Sequence, residues 1–178
     1  MDYKAQYQIY LSQVSSALEN ACERFLPENS EVCRAARYSL LSGGKRIRAV
    51  LTLSVCEMLG GDMDAARSFS AAVEMLHCYS LIHDDLPCMD NDDLRRGRPS
   101  CHKAFGEATA MLAGDVLLTE AFDAIANAPA SAQARVRAAQ ALGMGAGSHG
   151  MVYGQELDLK YEALAATEDQ LRLIHRNK

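Results

Sequence analysis

The run HDDLPCMDNDDLRRGRP places Asp84, Asp85, Asp90, Asp92 and Asp93 within ten residues and follows them at once with Arg95, Arg96 and Arg98. Five carboxylates so close repel one another, and a hard divalent cation relieves that repulsion. Mg²⁺ takes oxygen ligands, keeps several waters and bridges carboxylate to phosphate. The arginines suit the phosphate, because a planar guanidinium grips two of its oxygens at once. The chemistry on offer is a magnesium ion holding a diphosphate. A solvated loop in which Asp and Arg merely pair is the plainer alternative for any charge run. A calcium-binding EF-hand is excluded: counted from Asp90, Gly97 falls eighth rather than sixth, and Cys101 stands twelfth, where a bidentate Glu is needed.

A second cluster is Gly43-Gly44-Lys45-Arg46-Ile47-Arg48. Basic residues where a helix begins work against its dipole, so they call for an anion. The spacing is not that of a P-loop, and alone the cluster reads as a turn with solvated charge. Two anion-gripping clusters in one chain say more than either. His77 lies seven residues before Asp84, so two helical turns put both on one face; a lone histidine there is more often a core residue. His83, His102, His149 and His175 stay with that ordinary reading.

Helical elements are expected to carry these residues. Apolar residues recur at helical spacing over 3–25, and Pro27 with Ser30 supplies a stop and a new N-cap. Segments 31–41 and 45–59 each end at a glycine pair suited to left-handed C-caps. Asp62 or Asp64 caps an apolar helix running to about 83, and Pro87, Gly97 and Pro99 mark 84–100 as a loop. Helical patterns resume over 107–127 and 130–150, and a last one starts near Thr167, with Asp169 and Gln170 in capping positions.

Composition agrees. The 178 residues suit one all-α domain: 49% are apolar and Trp is absent. A net charge of −5 argues against a nucleic-acid partner. Six cysteines without a CxxC pair read as reduced, mostly buried thiols, and imply a cytoplasmic location. Neither a leader peptide nor an apolar run long enough to span a bilayer is evident.

The blocks GGKRIRAVL, EMLHCYSLIHDDLPCMDNDDLRRGRPSCHKAFGEATAMLAGDVLLTEAFD, GMVYGQELDL and LRLIHRNK, in that order, resemble the trans-polyprenyl diphosphate synthases, of the bacterial farnesyl diphosphate synthase type. The resemblance implies an isoprenoid synthase-type helical bundle around a central cavity. It implies that Asp84 and Asp90 ligate magnesium on an allylic diphosphate, with Asp85 as ligand or close neighbour and about three metals in a complete site. Arg95 and Lys178 would contact the allylic diphosphate. Lys45, Arg48, His77 and Arg96 would hold isopentenyl diphosphate, and Gln155 and Asp158 would face the site, Gln155 in the same cavity as His77 and Asp84. Tyr79 and Ser80, five and four residues before Asp84, would limit product length, giving farnesyl diphosphate.

Helices 107–127 and 130–150 would form a homodimer interface. The resemblance also expects a second Asp-rich motif later than Lys178, so residues 1–178 read as the N-terminal part of such a domain, with little synthase activity alone. Two alternatives stay open: a geranylgeranyl diphosphate synthase, and a non-catalytic diphosphate-binding helical module. A terpene cyclase shares the Asp-rich site but has no use for GGKRIR and His77, which speak for a second diphosphate.

Overall fold

The computed structural model describes residues 2–162 and 164–178. They divide into two compact units, 1–131 and 132–178.

In the first unit, α1 (Tyr3–Phe25) is capped by Asp2, whose side chain accepts the Lys4 N–H. It buries Tyr10, Val14, Ala17, Leu18, Ala21 and Cys22, a stripe at helical spacing. α2 (Glu31–Leu40) follows Ser30, which caps Cys33. Arg37 of α2 donates to the Cys22 and Leu26 carbonyls at 3.3 and 3.1 Å, satisfying the open end of α1.

α3 (Ile47–Met58) begins two residues later than the pattern suggested. Gly43, Gly44 and Arg46 all hold positive φ (82°, 120° and 51°), so the backbone turns helical only after Arg46. α4 (Met63–Asp84) starts at Asp62, which accepts the Asp64 and Ala65 N–H groups. Of the two expected caps, Asp62 is the one used. α4 is the hub of the unit and packs against α1, α2, α3 and α6. Its buried Ala71, Ala72, Met75, Leu76 and Ile82 explain its apolar sequence.

The loop after α4 contains a small hairpin, β1 (Leu94–Arg95) and β2 (Arg98–Pro99), which the sequence pattern did not show. Arg96 and Gly97, with φ 54° and 75°, form the two-residue primed turn that suits strand twist. The short α5 (Cys101–Phe105), also unforeseen, ends at Gly106, where α6 (Glu107–Ala126) begins. Buried Ala110, Ala113, Gly114, Leu117 and Ala121 let α6 approach α4 closely.

The second unit holds α7 (Ala132–Ala146), α8 (Met151–Tyr161) and α9 (Glu168–Asn177). α7 stops short of residue 150, where the chain makes a tight turn with the Gly150 N–H donating to the Gly147 carbonyl at 3.0 Å, and a Cβ at Gly150 would lie 2.1 Å from the Gly145 oxygen. A two-sided capping box at Thr167 and Gln170 starts α9, as its sequence suggested. Among the described residues no helix is long and apolar enough to cross a membrane. The cysteines are free: Cys22, Cys33, Cys78 and Cys101 are buried, and Cys88 is exposed.

Candidate active site

The glycine turn before α3, the start of α3, one face of α4 and the hairpin tip enclose a cleft of roughly 580 Å³, lined by Ser42, Gly44, Lys45, Arg46, Ile47, Arg48, Glu74, His77 and Arg96. All four residues expected to hold isopentenyl diphosphate therefore meet here. Four of the lining side chains are cationic and one, Glu74, is anionic. Arg96 reaches the cleft from the hairpin tip, donating to the Gly43 carbonyl and to Ser42 Oγ, the latter at 3.2 Å. A Cβ on Gly44 would stand 2.7 Å from the Arg96 guanidinium carbon, so glycine makes room for that arm. Burial and the nearby Arg46 lower the Arg96 pKa.

His77 is half-buried, and its pKa falls to about 4. Burial is the first cause and Arg48 the second; Glu74 pulls the other way, and Arg96 and Arg46 add to the lowering. The imidazole is thus neutral at pH 7, ready to donate one hydrogen bond to an anion. Unfolded, it would take up a proton near 6.5; folded, near 4. Between those values the unfolded chain binds more protons, so this histidine lowers stability as pH falls through that window. H77Q is expected to show a smaller loss of thermal midpoint between pH 7 and 5 than the unaltered chain. An equal loss in both would place the pH dependence elsewhere.

At the end of α4, Asp85 is 2% exposed and is gripped by Arg95, whose Nε lies 3.0 and 3.2 Å from its two oxygens. Arg95 also reaches Asp92 at 3.5 Å. The hydrogen bond to Asp85 is the first cause of the raised Arg95 pKa. The Asp90 N–H donates to the Asp84 carbonyl at 2.9 Å, closing the loop so that these two residues are neighbours. Lys103 holds Asp93 at 2.8 Å. Among the described residues no three His, Cys, Asp or Glu side chains gather as a ready metal cage. Asp84 and Asp90 still suit magnesium, which commonly takes one or two carboxylates and completes its shell with water and substrate phosphate.

One turn before Asp84, Tyr79 is buried with its ring edge-on to His83, centroids 5.5 Å apart. Burial, then Asp84, raises the Tyr79 pKa. His83 Nε2 donates to the Met111 carbonyl at 2.9 Å, and a Cβ on Gly114 would lie 2.2 Å from that nitrogen. Ser80 hydrogen-bonds the His77 carbonyl at 2.9 Å.

In the second unit Lys178 forms an ion pair with Asp158, one turn along α8 from Gln155. A Cβ on Gly154 would stand 2.4 Å from the Lys178 nitrogen, so this glycine lets the end of α9 lie on α8. The Gln155 amide nitrogen is buried without a hydrogen-bond partner.

Sequence reasoning placed Arg46 in the basic cluster but missed Glu74 as a part of the site. A glutamate inside the apolar run AAVEMLHCYS, one turn before His77, was the available signal for Glu74.

A helical fold with an acidic loop beside a cationic cleft is the arrangement of the isoprenoid synthase class of folds. The family model for polyprenyl synthetase matches residues 29–178, and the chain belongs to that family. It is 46% identical over 169 residues to a farnesyl diphosphate synthase of Micrococcus luteus, covering 95% of this chain and 57% of that protein. It is 47% identical to the large subunit 1 of a heterodimeric chloroplast geranylgeranyl pyrophosphate synthase of Arabidopsis thaliana, covering 93% and 46%. A solved geranyltransferase of Legionella pneumophila superposes with a TM-score of 0.93 at 42% identity, covering 98% of this chain and 62% of that one. The chain thus spans about half the length of the curated relatives it matches.

Proposed function

We propose that this chain carries the substrate sites of a farnesyl diphosphate synthase, which joins dimethylallyl or geranyl diphosphate to isopentenyl diphosphate. The observation behind this reading is the cleft in which Lys45, Arg48, His77 and Arg96 converge, on the helix that ends in the Asp84–Asp90 loop. A single-substrate diphosphate enzyme needs only one of these two sites.

Asp84 and Asp90 would hold magnesium, which when bound neutralises charge on the departing diphosphate. Arg95, kept in place by the buried Asp85, and Lys178 meet the remaining charge. Lys45, Arg48, Arg96 and His77 fix isopentenyl diphosphate so that its double bond attacks the allylic cation. The proton then lost goes to the released diphosphate, so no side-chain nucleophile is required.

Residues 1–178 belong to one domain in this reading. The protein is cytoplasmic and homodimeric. Exposed Met111, Leu112 and Phe122 on α6, and Val136 and Met144 on α7, support pairing through these helices. Geranylgeranyl diphosphate is the second product to consider, because relatives named for each product match about equally well.

The test is isothermal titration of isopentenyl diphosphate into the unaltered chain and into R48Q. Binding by the former, weakened about tenfold or more in the latter, supports the reading. No binding, or binding that ignores Arg48, rejects it.

A further inference from the structure

We propose that the buried Arg46–Glu74 pair is the positioning device of the cationic cleft: it fixes the start of α3, with Lys45 and Arg48, against His77 on α4. This rests on the reading of that cleft as the isopentenyl diphosphate site.

α3 begins without help from its own N-cap, for Arg46 makes no side-chain capping bond and its backbone is left-handed, φ 51° and ψ 33°. Glu74 comes across from α4 instead. Its Oε1 accepts the Ala49 N–H at 3.4 Å, and its Oε2 accepts the Arg46 guanidinium at 3.1 Å. The other arm of Arg46 donates to the Leu40 carbonyl at 2.5 Å, where α2 ends. One ion pair therefore ties together the end of α2, the start of α3 and the middle of α4. The two side chains are only 8% and 2% exposed.

Stability alone gives little reason for such a pair, since apolar residues of similar volume commonly serve a core as well or better. Geometry gives a better one. His77 stands one turn along α4 from Glu74, and Arg48 lies between Arg46 and Ala49. The pair thus sets the spacing between the groups that must grip one diphosphate. It also cancels the charge of Arg46 and leaves Lys45, Arg48 and Arg96 to the anion.

The sign of one substitution separates this role from simple electrostatics. If Glu74 were only a negative charge on an anion cleft, E74Q would tighten the binding of inorganic diphosphate. As a positioning residue, its loss loosens the cleft, and misplacement by about 1 Å can cost about a hundredfold. E74Q is therefore expected to bind inorganic diphosphate about tenfold or more weakly in calorimetry. R46K keeps the charge but cannot reach Glu74 and the Leu40 carbonyl together, and should weaken binding likewise. E74L/R46M removes the buried charges altogether; it should remain helical by circular dichroism and also bind weakly.

In NMR titrations without ligand, the His77 ring of E74Q should protonate at lower pH than in the unaltered chain. Of the groups facing it, Arg48, Arg96 and Arg46 all oppose its charging, and Glu74 alone favours it. Wild-type-like or tighter diphosphate binding by folded E74Q, or an unmoved His77 titration, overturns the positioning role. A wild-type chain with no affinity for diphosphate instead sinks the functional reading, and this inference with it.

Discussion

In a version extended through a second Asp-rich motif, replacing Asp84 or Asp90 with Asn is expected to slow prenyl transfer by about a hundredfold to a thousandfold, the usual cost of losing one preorganised charge-handling group. Asn keeps the shape of the side chain and removes its charge, so the loop closed by the Asp90 N–H on the Asp84 carbonyl should survive. Asp85 is buried and bonded to Arg95, so it is expected to compensate poorly for the loss of either neighbour. Asp92 and Asp93 are also engaged, by Arg95 and Lys103. Binding gives a readout apart from turnover: the 178-residue chain should bind geranyl diphosphate more tightly with magnesium than with a chelator, and D84N and D90N should lose that difference. Variants that retain the full magnesium effect would show that the metal is held elsewhere.

The second large effect is on product length. Tyr79 is 8% exposed and stands one turn before Asp84, on the side of α4 that meets His83. A growing tail that leaves the diphosphate along α4 would meet this ring first, so in a version extended through a second Asp-rich motif, with farnesyl diphosphate as the proposed product, Y79A should lengthen the main product to geranylgeranyl diphosphate. Removing a buried aromatic ring also leaves a void costing about 3–5 kcal/mol, so the thermal midpoint must be followed beside the product chromatogram. An active, folded Y79A that still makes the original product would remove Tyr79 from this role.

Much of this was readable in the sequence because its causes are local. The bounds of α1 follow from one apolar stripe and Pro27, and the start of α9 from Thr167 and Gln170 three residues apart. The acidic loop announced itself by charge density. What escaped was fixed by partners distant in sequence. Glu74 looks misplaced in an apolar helix until Arg46, 28 residues earlier, is seen against it. The two-strand hairpin hides in a charged segment without alternation, where only Arg96-Gly97 hints at a turn. α8 was overlooked because its apolar and polar residues do not separate into faces, and few of its side chains are buried.

The seat of His83 has a consequence for how this region can change. A glycine inside a helix costs about 1 kcal/mol relative to alanine. Gly114 carries that cost in the middle of α6, where a Cβ would collide with the His83 ring. Alanine at 114 is therefore harmful beside His83, yet favourable to the helix beside a serine or alanine at 83. The two positions show sign epistasis across 31 residues. Accepted changes come in one order: position 83 must shrink before position 114 can grow, and the reverse path crosses a destabilised intermediate.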